Sequence, residues 1–207
     1  MALFGKTLMA ADSSLVEKLR SSESVLVGNF LHVRRDQVSL PNGLNAEREY
    51  VVHPGACVVI PLLDNDEVIL EKQFRYPVGR EMIEFPAGKL DPNEEPLICA
   101  LRELREETGY SASEWAYAGC MHLAIAYSTE VIHIYFVRGL VQGERDLDEG
   151  EFLSVFTAPA QQLIAWCADC TVTDAKTVTC ALHLQQFLAG SKQLGWNAVP
   201  RMAAAHS

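Results

Sequence analysis

The sequence has no stretch approaching the roughly 18 consecutive apolar residues of a membrane-spanning helix. Lys6 is followed by too few apolar residues before Asp12 to form the hydrophobic core of a secretory signal. Both absences set the expectation of a soluble, cytoplasmic protein with no membrane partner. Basic side chains are scarce as well: 17 Lys and Arg face 27 Asp and Glu, for a formal net charge of -10. That balance argues against a nucleic-acid partner, because a broad phosphate surface needs a basic footprint. An anionic ligand would have to be held by a few local Arg or Lys, or by bound cations. Cysteine is too sparse and too scattered for a disulfide framework, and the six thiols (Cys57, Cys99, Cys120, Cys167, Cys170, Cys180) are expected to be reduced and mostly buried. Cys167-Ala168-Asp169-Cys170 has no second Cys or His pair nearby to complete a zinc site. No internal repeat of about 20 to 50 residues is present, which excludes a solenoid.

What is present is a chain of 207 residues, 49% hydrophobic and 21% charged, enough for a sizeable core in one domain with an appendage. Residues 1–23 carry a weak amphipathic pattern (Leu15, Val16, Leu19) that runs into the polar Ser21-Ser22-Glu23-Ser24. Two β-rich runs, "VLVGNFLHVRRDQVSL" and "AEREYVV", flank Pro41-Asn42-Gly43 and predict a hairpin. "GACVVIPLL" and "VILEKQFRY" predict a second pair across an acidic turn, with Pro61 tolerable only at an edge or bulge. "EMIEFPAG" predicts a short strand, "WAYAGCMHLAIAY", "VIHIYFVRGL" and "FLSVFTA" predict later ones, and His122 and His133 fall within these patterns as core or rim residues. "PAQQLIAWCADC" and "DAKTVTCALHLQQFLAG" show helical spacings, the second ending at Gly190. The fold class is α+β, or an α/β sandwich.

Between these strands lies "GKLDPNEEPLICALRELREETGY", residues 88–110. Asp91 as N-cap, Pro92 at the first helical position and Glu94 three residues after the cap predict a helix start, and Gly109 its stop. Leu97, Leu101, Leu104 and Thr108 form one narrow packing stripe. Glu103, Glu106 and Glu107 fall on another face, within about one turn, where like charges repel. Arg102 and Arg105 could neutralise part of that charge on a solvated surface. The preceding Pro86-Ala87-Gly88 instead lets backbone approach a ligand, and clustered carboxylate and carbonyl oxygens suit Mg²⁺.

The spacing of Gly88, Glu94, Arg102-Glu103-Leu104, Glu106-Glu107 and Gly109-Tyr110 resembles the Nudix box, Gly-x5-Glu-x7-Arg-Glu-U-x-Glu-Glu-x-Gly-U with U a bulky apolar residue. The resemblance implies an α/β/α Nudix sandwich with a mixed sheet, Mg²⁺ or Mn²⁺ as cofactor, and hydrolysis of a nucleoside diphosphate linked to another moiety. It makes Glu103 and Glu107 metal-binding carboxylates, Glu106 a further ligand or its support, and the Ala87 carbonyl a backbone ligand. Glu94 and Arg102 become structural.

"QFRYPVGREMIEFPAG", "LPNG" and "TDAKTV" are similar to the corresponding parts of ADP-ribose pyrophosphatases, over roughly residues 25–190. That likeness implies cleavage of ADP-ribose to AMP and ribose 5-phosphate by a homodimer with swapped N-terminal antiparallel β-domains. Arg75 would contact the diphosphate and Glu84 the terminal ribose or the metal region. Phe30 would stack on adenine, with Tyr50 and Tyr76 as the other available aromatics. The general base would be Glu149 or Glu151, in an acidic loop that also holds Asp146 and Asp148. Ile125 stands where many such enzymes carry Pro, which keeps GDP-mannose and other ADP-linked, NADH-like substrates open. A non-catalytic Nudix-fold sensor of nucleotide metabolites is the alternative of another class. The expected organisation is a β-rich region over 1–54, a hydrolase domain over 55–192 and a tail over 193–207.

Overall fold

The computed structural model describes residues 14–147 and 149–200. Two compact units divide it, one built from the chain up to His53 together with Ala124–Thr129, the other from Pro54–Leu123 and Glu130 onward.

The first unit is an antiparallel sheet of β1 (Lys18–Val27), β2 (His32–Ser39) and β3 (Asn45–Val52), in that order. The expected hairpin is therefore three strands. The polar Ser21–Ser24 stretch, read as the end of an amphipathic segment, lies inside β1. Antiparallel pairing tolerates it because Ser22 bonds Asp36 across the ladder and bulges flank the stretch. The part of the amphipathic reading before Ser14 lies outside the described residues. Gly43, at φ +84°, makes the left-handed turn between β2 and β3 that the Pro-Asn-Gly signal predicts. Residues 124–127, expected to continue a strand, leave it and with Ser128 and Thr129 bond this unit: the Val51 and Thr129 N–H groups donate to the carbonyls of Tyr127 (2.8 Å) and Val51 (3.0 Å).

The second unit is the expected α/β/α sandwich. Its five-stranded mixed sheet runs β11 (Asn197–Ala198), β8 (Tyr110–Met121), β9 (Ile132–Gln142), β4 (Ala56–Pro61), β7 (Ala87–Lys89), with β4 and β9 parallel. A second sheet orders β10 (Leu153–Pro159), β5 (Glu67–Arg75) and β6 (Arg80–Glu84). Every residue of β4 is buried, and Pro61 fits by standing at the strand's end. Alternation on β4 and β9 separates two cores. Val58, Ile60, Ile134 and Phe136 pack with α2 (Ala160–Ala168) and α3 (Ala175–Leu188). Cys57, Val59, Tyr135 and Val137 pack with α1 (Pro96–Thr108). β11 draws the segment read as a tail into the sheet, where Val199 N–H donates to Ser113 O at 2.8 Å.

Helix α1 begins later than its sequence signal. Asn93 sits at φ +64°, which breaks the helix, so Asp91–Glu94 forms a turn closed by Asp91 N–H to Glu94 Oε2 at 3.0 Å. Glu95 becomes the N-cap residue and Pro96, rather than Pro92, takes the first position. Gly109 ends the helix at φ +78° as predicted. Leu101, Leu104 and Thr108 of the expected stripe are buried. Of the six cysteines, all free, only Cys57, Cys99 and Cys180 are buried, while Cys120 and Cys170 are exposed, against expectation. His122 lies beyond β8 and is exposed, whereas His133 Nδ1 meets the Tyr117 hydroxyl at 3.0 Å within the sheet.

Leu104, fully buried against the sheet, is the main anchor of α1. Leu104→Ala should cost about 2–5 kcal/mol of unfolding free energy in urea titrations, because the cavity it leaves is walled by strands that cannot collapse.

Candidate active site

The second half of α1 carries the carboxylates, and Arg102 organises them. Its Nε and Nη2 each donate to Glu94 at 2.9 Å, its Nη1 donates to Glu103 Oε1 at 2.8 Å and Glu106 Oε2 at 3.0 Å, and Nη2 also reaches Lys89 O at 3.1 Å. The bidentate bond to Arg102 holds Glu94 below the usual carboxylate range. Arg102 thereby joins Glu94, Glu103 and Glu106 in one ion-pair network. Glu107 lies deeper: its Oε2 accepts from Ala87 N–H at 3.0 Å, tying helix to loop. A Cβ at Gly88 would overlap the Glu103 carboxylate where Arg102 holds it, so a larger residue there would displace that side chain.

Strand β5 supplies the opposite wall. Alternation puts Glu71, Gln73 and Arg75 on one face, and Glu84 of β6 pairs with Glu71 across the ladder. Arg75 Nε and Nη2 each donate to Glu84 at 2.7 Å, a fork that leaves the arginine side chain 40% exposed. Lys176 of α3 bonds the same carboxylate and Asp174 Oδ2 at 2.9 Å. Asp174 caps α3 by accepting from Thr177 N–H at 3.0 Å, and Thr177 Oγ1 accepts from Phe85 N–H at 3.1 Å. Glu84, expected to meet a ribose or the metal region, has both oxygens taken by cations and serves here to hold Arg75. Flanking charges keep its pKa low against the opposing effect of burial.

The acidic loop separates its two candidates. Glu151 is half-buried and accepts from Gln73 Nε2 at 3.3 Å, and its charge reaches Glu71, Glu103 and Glu107. Glu149 is exposed, and Asp148 lies outside the described residues. Of the aromatic candidates, Phe30 is 72% and Tyr76 88% exposed, while Tyr50 donates to Asp36 at 2.9 Å. Ile125 is exposed.

Glu71 and Lys176 received no role from the sequence. The available signal for Glu71 was a charged residue on the strand face that carries Arg75, directly after apolar Ile69 and Leu70. Glu71 is fully buried, and neither carboxylate oxygen has a hydrogen-bond partner. Burial, and then the neighbouring carboxylates, raise Glu71 and Glu107 well above the usual range, with Glu71 the largest charge acting on Glu107. Burial pushes Glu103 up to about 7 against the opposing Arg102.

Among the described residues, no three His, Cys, Asp or Glu side chains form a closed metal-ligand set. Arg102 accounts for this on α1 by drawing Glu103 and Glu106 toward its own guanidinium. The donors nevertheless fit a hard divalent cation. They are all oxygen, they repel one another, and Glu71 is a buried carboxylate with unsatisfied oxygens. Glu103, Glu106, Glu107 and the Ala87 carbonyl are the groups that would hold it.

Because burial raises Glu103, the fold favours its neutral form. That stability is complete below about 4.5 and is lost as pH rises through about 7. In chelator, the melting temperature should fall across that window, added Mg²⁺ should restore it, and Glu103→Gln should make the fall shallower without abolishing it, because Glu71 and Glu107 are raised as well. Glu84 and Glu94, held low, act only on the acid side of 4.5.

Residues 52–178 match the NUDIX domain, and residues 17–51 match the nucleoside diphosphate sugar hydrolase N-terminal domain. The chain is 37% identical over 174 residues to the ADP-ribose pyrophosphatase of Bacillus subtilis (strain 168), covering 83% of this chain and 94% of the relative. It is 34% identical over 171 residues to the methanol dehydrogenase activator of Bacillus methanolicus, covering 82% and 92%. A crystal structure of an ADP compounds hydrolase shares the fold at a TM-score of 0.76 and 22% identity, over 84% of this chain and 95% of that one. With the domain match spanning more than half the sequence and both relatives aligned along nearly their whole length, the chain belongs to the Nudix family of hydrolases.

Proposed function

We propose that this protein hydrolyses the diphosphate of ADP-ribose to AMP and ribose 5-phosphate, with Mg²⁺ or Mn²⁺, as a cytoplasmic homodimer. The observation that carries the reading is the pairing of two walls: buried carboxylates on α1, and on β5 a guanidinium whose fork is already fixed by Glu84. A diphosphate needs both, a cationic rim and carboxylates that can hold divalent cations against it. The Bacillus subtilis relative named ADP-ribose pyrophosphatase supports the choice of nucleotide sugar.

When bound, the cation supplies positive charge to the diphosphate oxygens and makes water a better nucleophile. Arg75 grips a phosphate oxygen with its exposed edge, while Glu84 and Lys176 keep that edge from turning. Glu151, oriented by Gln73, takes the proton of the attacking water. Water adds to phosphorus as the bridging P–O bond breaks, and the leaving phosphate departs with one product. Placing the base on a loop after β9 suits a site completed by closure over substrate.

The dimer reading rests on the first unit. Asp36 and Val38 are its only buried residues among those described, while Leu19, Val27, Phe30 and Leu44 are 63%, 76%, 72% and 64% exposed. A three-stranded sheet with so little of its own core gains stability by covering such residues. Phe30 would then meet the adenine of the swapped arrangement.

Purified protein should release AMP from ADP-ribose at millimolar Mg²⁺, faster than it cleaves GDP-mannose or NADH in parallel. Glu107→Gln should keep its circular dichroism and lose turnover by about a hundredfold or more. Absence of AMP from the wild type would overturn the reading. Sedimentation should give twice the chain mass, and Val27→Glu should shift it toward the monomer.

A further inference from the structure

Glu71 stands at the middle of β5, flanked by Glu84 on β6 and Val155 on β10. The residues before it, Ile69 and Leu70, are fully buried, and so is Glu71 itself. Its neighbours Arg75 and Lys176 spend their bonds on Glu84 and Asp174, and neither Glu71 oxygen receives a hydrogen bond. A carboxylate in that position loses its hydration and gains nothing in return, whereas a leucine would fill the space without the cost. The mechanism above gives it no work.

Its face of the strand decides what it can do. Gln73, two residues along on the same side, reaches Glu151, and Arg75, two further, marks the rim. Glu71 therefore occupies the floor of the wall whose upper part meets the acidic loop. On α1 Glu107 is fixed by Ala87 N–H, and Glu71 is near enough to be the foremost charge raising it after burial. Two buried carboxylates from separate elements, one of them wholly unpartnered, suit a divalent cation that keeps water on its remaining positions.

We infer that Glu71 is a further metal-binding carboxylate, holding the divalent cation from the β5 side opposite Glu107. This rests on the proposed cation-dependent hydrolysis. It adds a ligand from outside the α1 motif, so the cation bridges helix and sheet instead of lying on the helix alone. It also explains why an apolar position holds an acid: in the metal-free protein Glu71 is a liability, and the bound cation supplies its missing partner.

The test measures Mn²⁺ binding by electron paramagnetic resonance without nucleotide, for wild type, Glu71→Gln and Glu71→Leu, beside melting temperatures in chelator. Glu71→Gln should bind Mn²⁺ about ten- to a hundredfold more weakly. Its metal-free melting temperature should not fall, and that of Glu71→Leu should rise. Mn²⁺ affinity equal to wild type in Glu71→Gln overturns the inference, as does weaker binding accompanied by a lower metal-free melting temperature, which marks a structural role. If Glu71→Leu does not fold, the near-isosteric Gln variant decides alone. A wild type that binds Mn²⁺ and makes AMP beside a Glu71→Gln of unchanged affinity refutes only this inference. A wild type that does neither refutes the functional reading and this inference with it.

Discussion

Carboxylates in a dry interior lose hydration and, when ionised, repel one another, and this chain buries Glu71 and Glu107 with the partly buried Glu103 and Glu151 nearby. At an effective dielectric of about 20, unit charges ~4 Å apart interact by about 4 kcal/mol. On an exposed helix the same spacings would cost only a few tenths of a kcal/mol per pair. Burial therefore turns a minor penalty into one the fold must answer. It answers from the other side of α1, where Cys99, Ala100, Leu101 and Leu104 are buried against β4 and β9. A fully buried leucine contributes about 1.5–3 kcal/mol, so the apolar side of the helix is on the scale needed to hold the acidic side in place.

The alternation of β4 and β9 makes that arrangement rigid. Each strand turns one set of side chains toward α1 and the other toward α2 and α3, so both layers grip the same backbone. The carboxylates stand on α1, the arginine on β5 and its support on α3, three elements locked by separate cores or caps. Lys176 and Asp174 show the economy of this: the residue that caps α3 also neutralises the lysine that holds Glu84. A guanidinium fixed by two bonds loses less freedom when it meets an anion than a loose one would.

The sequence made α1, its stop and its acidic face legible, because spacing along one helix is a local property. It also located most strands, since β-branched runs bounded by turns do not depend on partners. It misplaced the helix start because Asp91-Pro92-Asn93-Glu94 satisfies the grammar of a cap. Only the left-handed Asn93 reveals that Glu94 is recruited by Arg102 eight residues away instead. It passed over Glu71 for a similar reason: in one dimension it is an acid interrupting a strand, and its meaning comes from Glu107 and Glu84 on other elements. Arg75 was readable as an arginine in need of an anion, but that the anion would be Glu84 required the pairing of β5 with β6. Glu149 and Glu151 are equivalent in sequence and differ only in which of them Gln73 reaches.

Charge pairing across the site explains why an acidic protein can still be suited to an acidic ligand. Arg75 and Lys176 are matched by Glu84 and Asp174, and Arg102 is shared among Glu94, Glu103 and Glu106. What remains is Glu71, Glu107 and Glu151, and because burial holds Glu71 and Glu107 toward their neutral forms, ionising them beside a diphosphate would set like charges together. At physiological salt the net charge of -10 is screened beyond about 8 Å, so the obstacle is local to the site. Within that distance the exposed edge of Arg75 offers the substrate one positive contact, too little to offset the carboxylates facing it. In the proposed reaction divalent cations would relieve that local negative charge and, once bound, would reverse the sign of the surface that the diphosphate meets. The repulsion that α1 has to withstand is, on this reading, the source of affinity for the ions that relieve it.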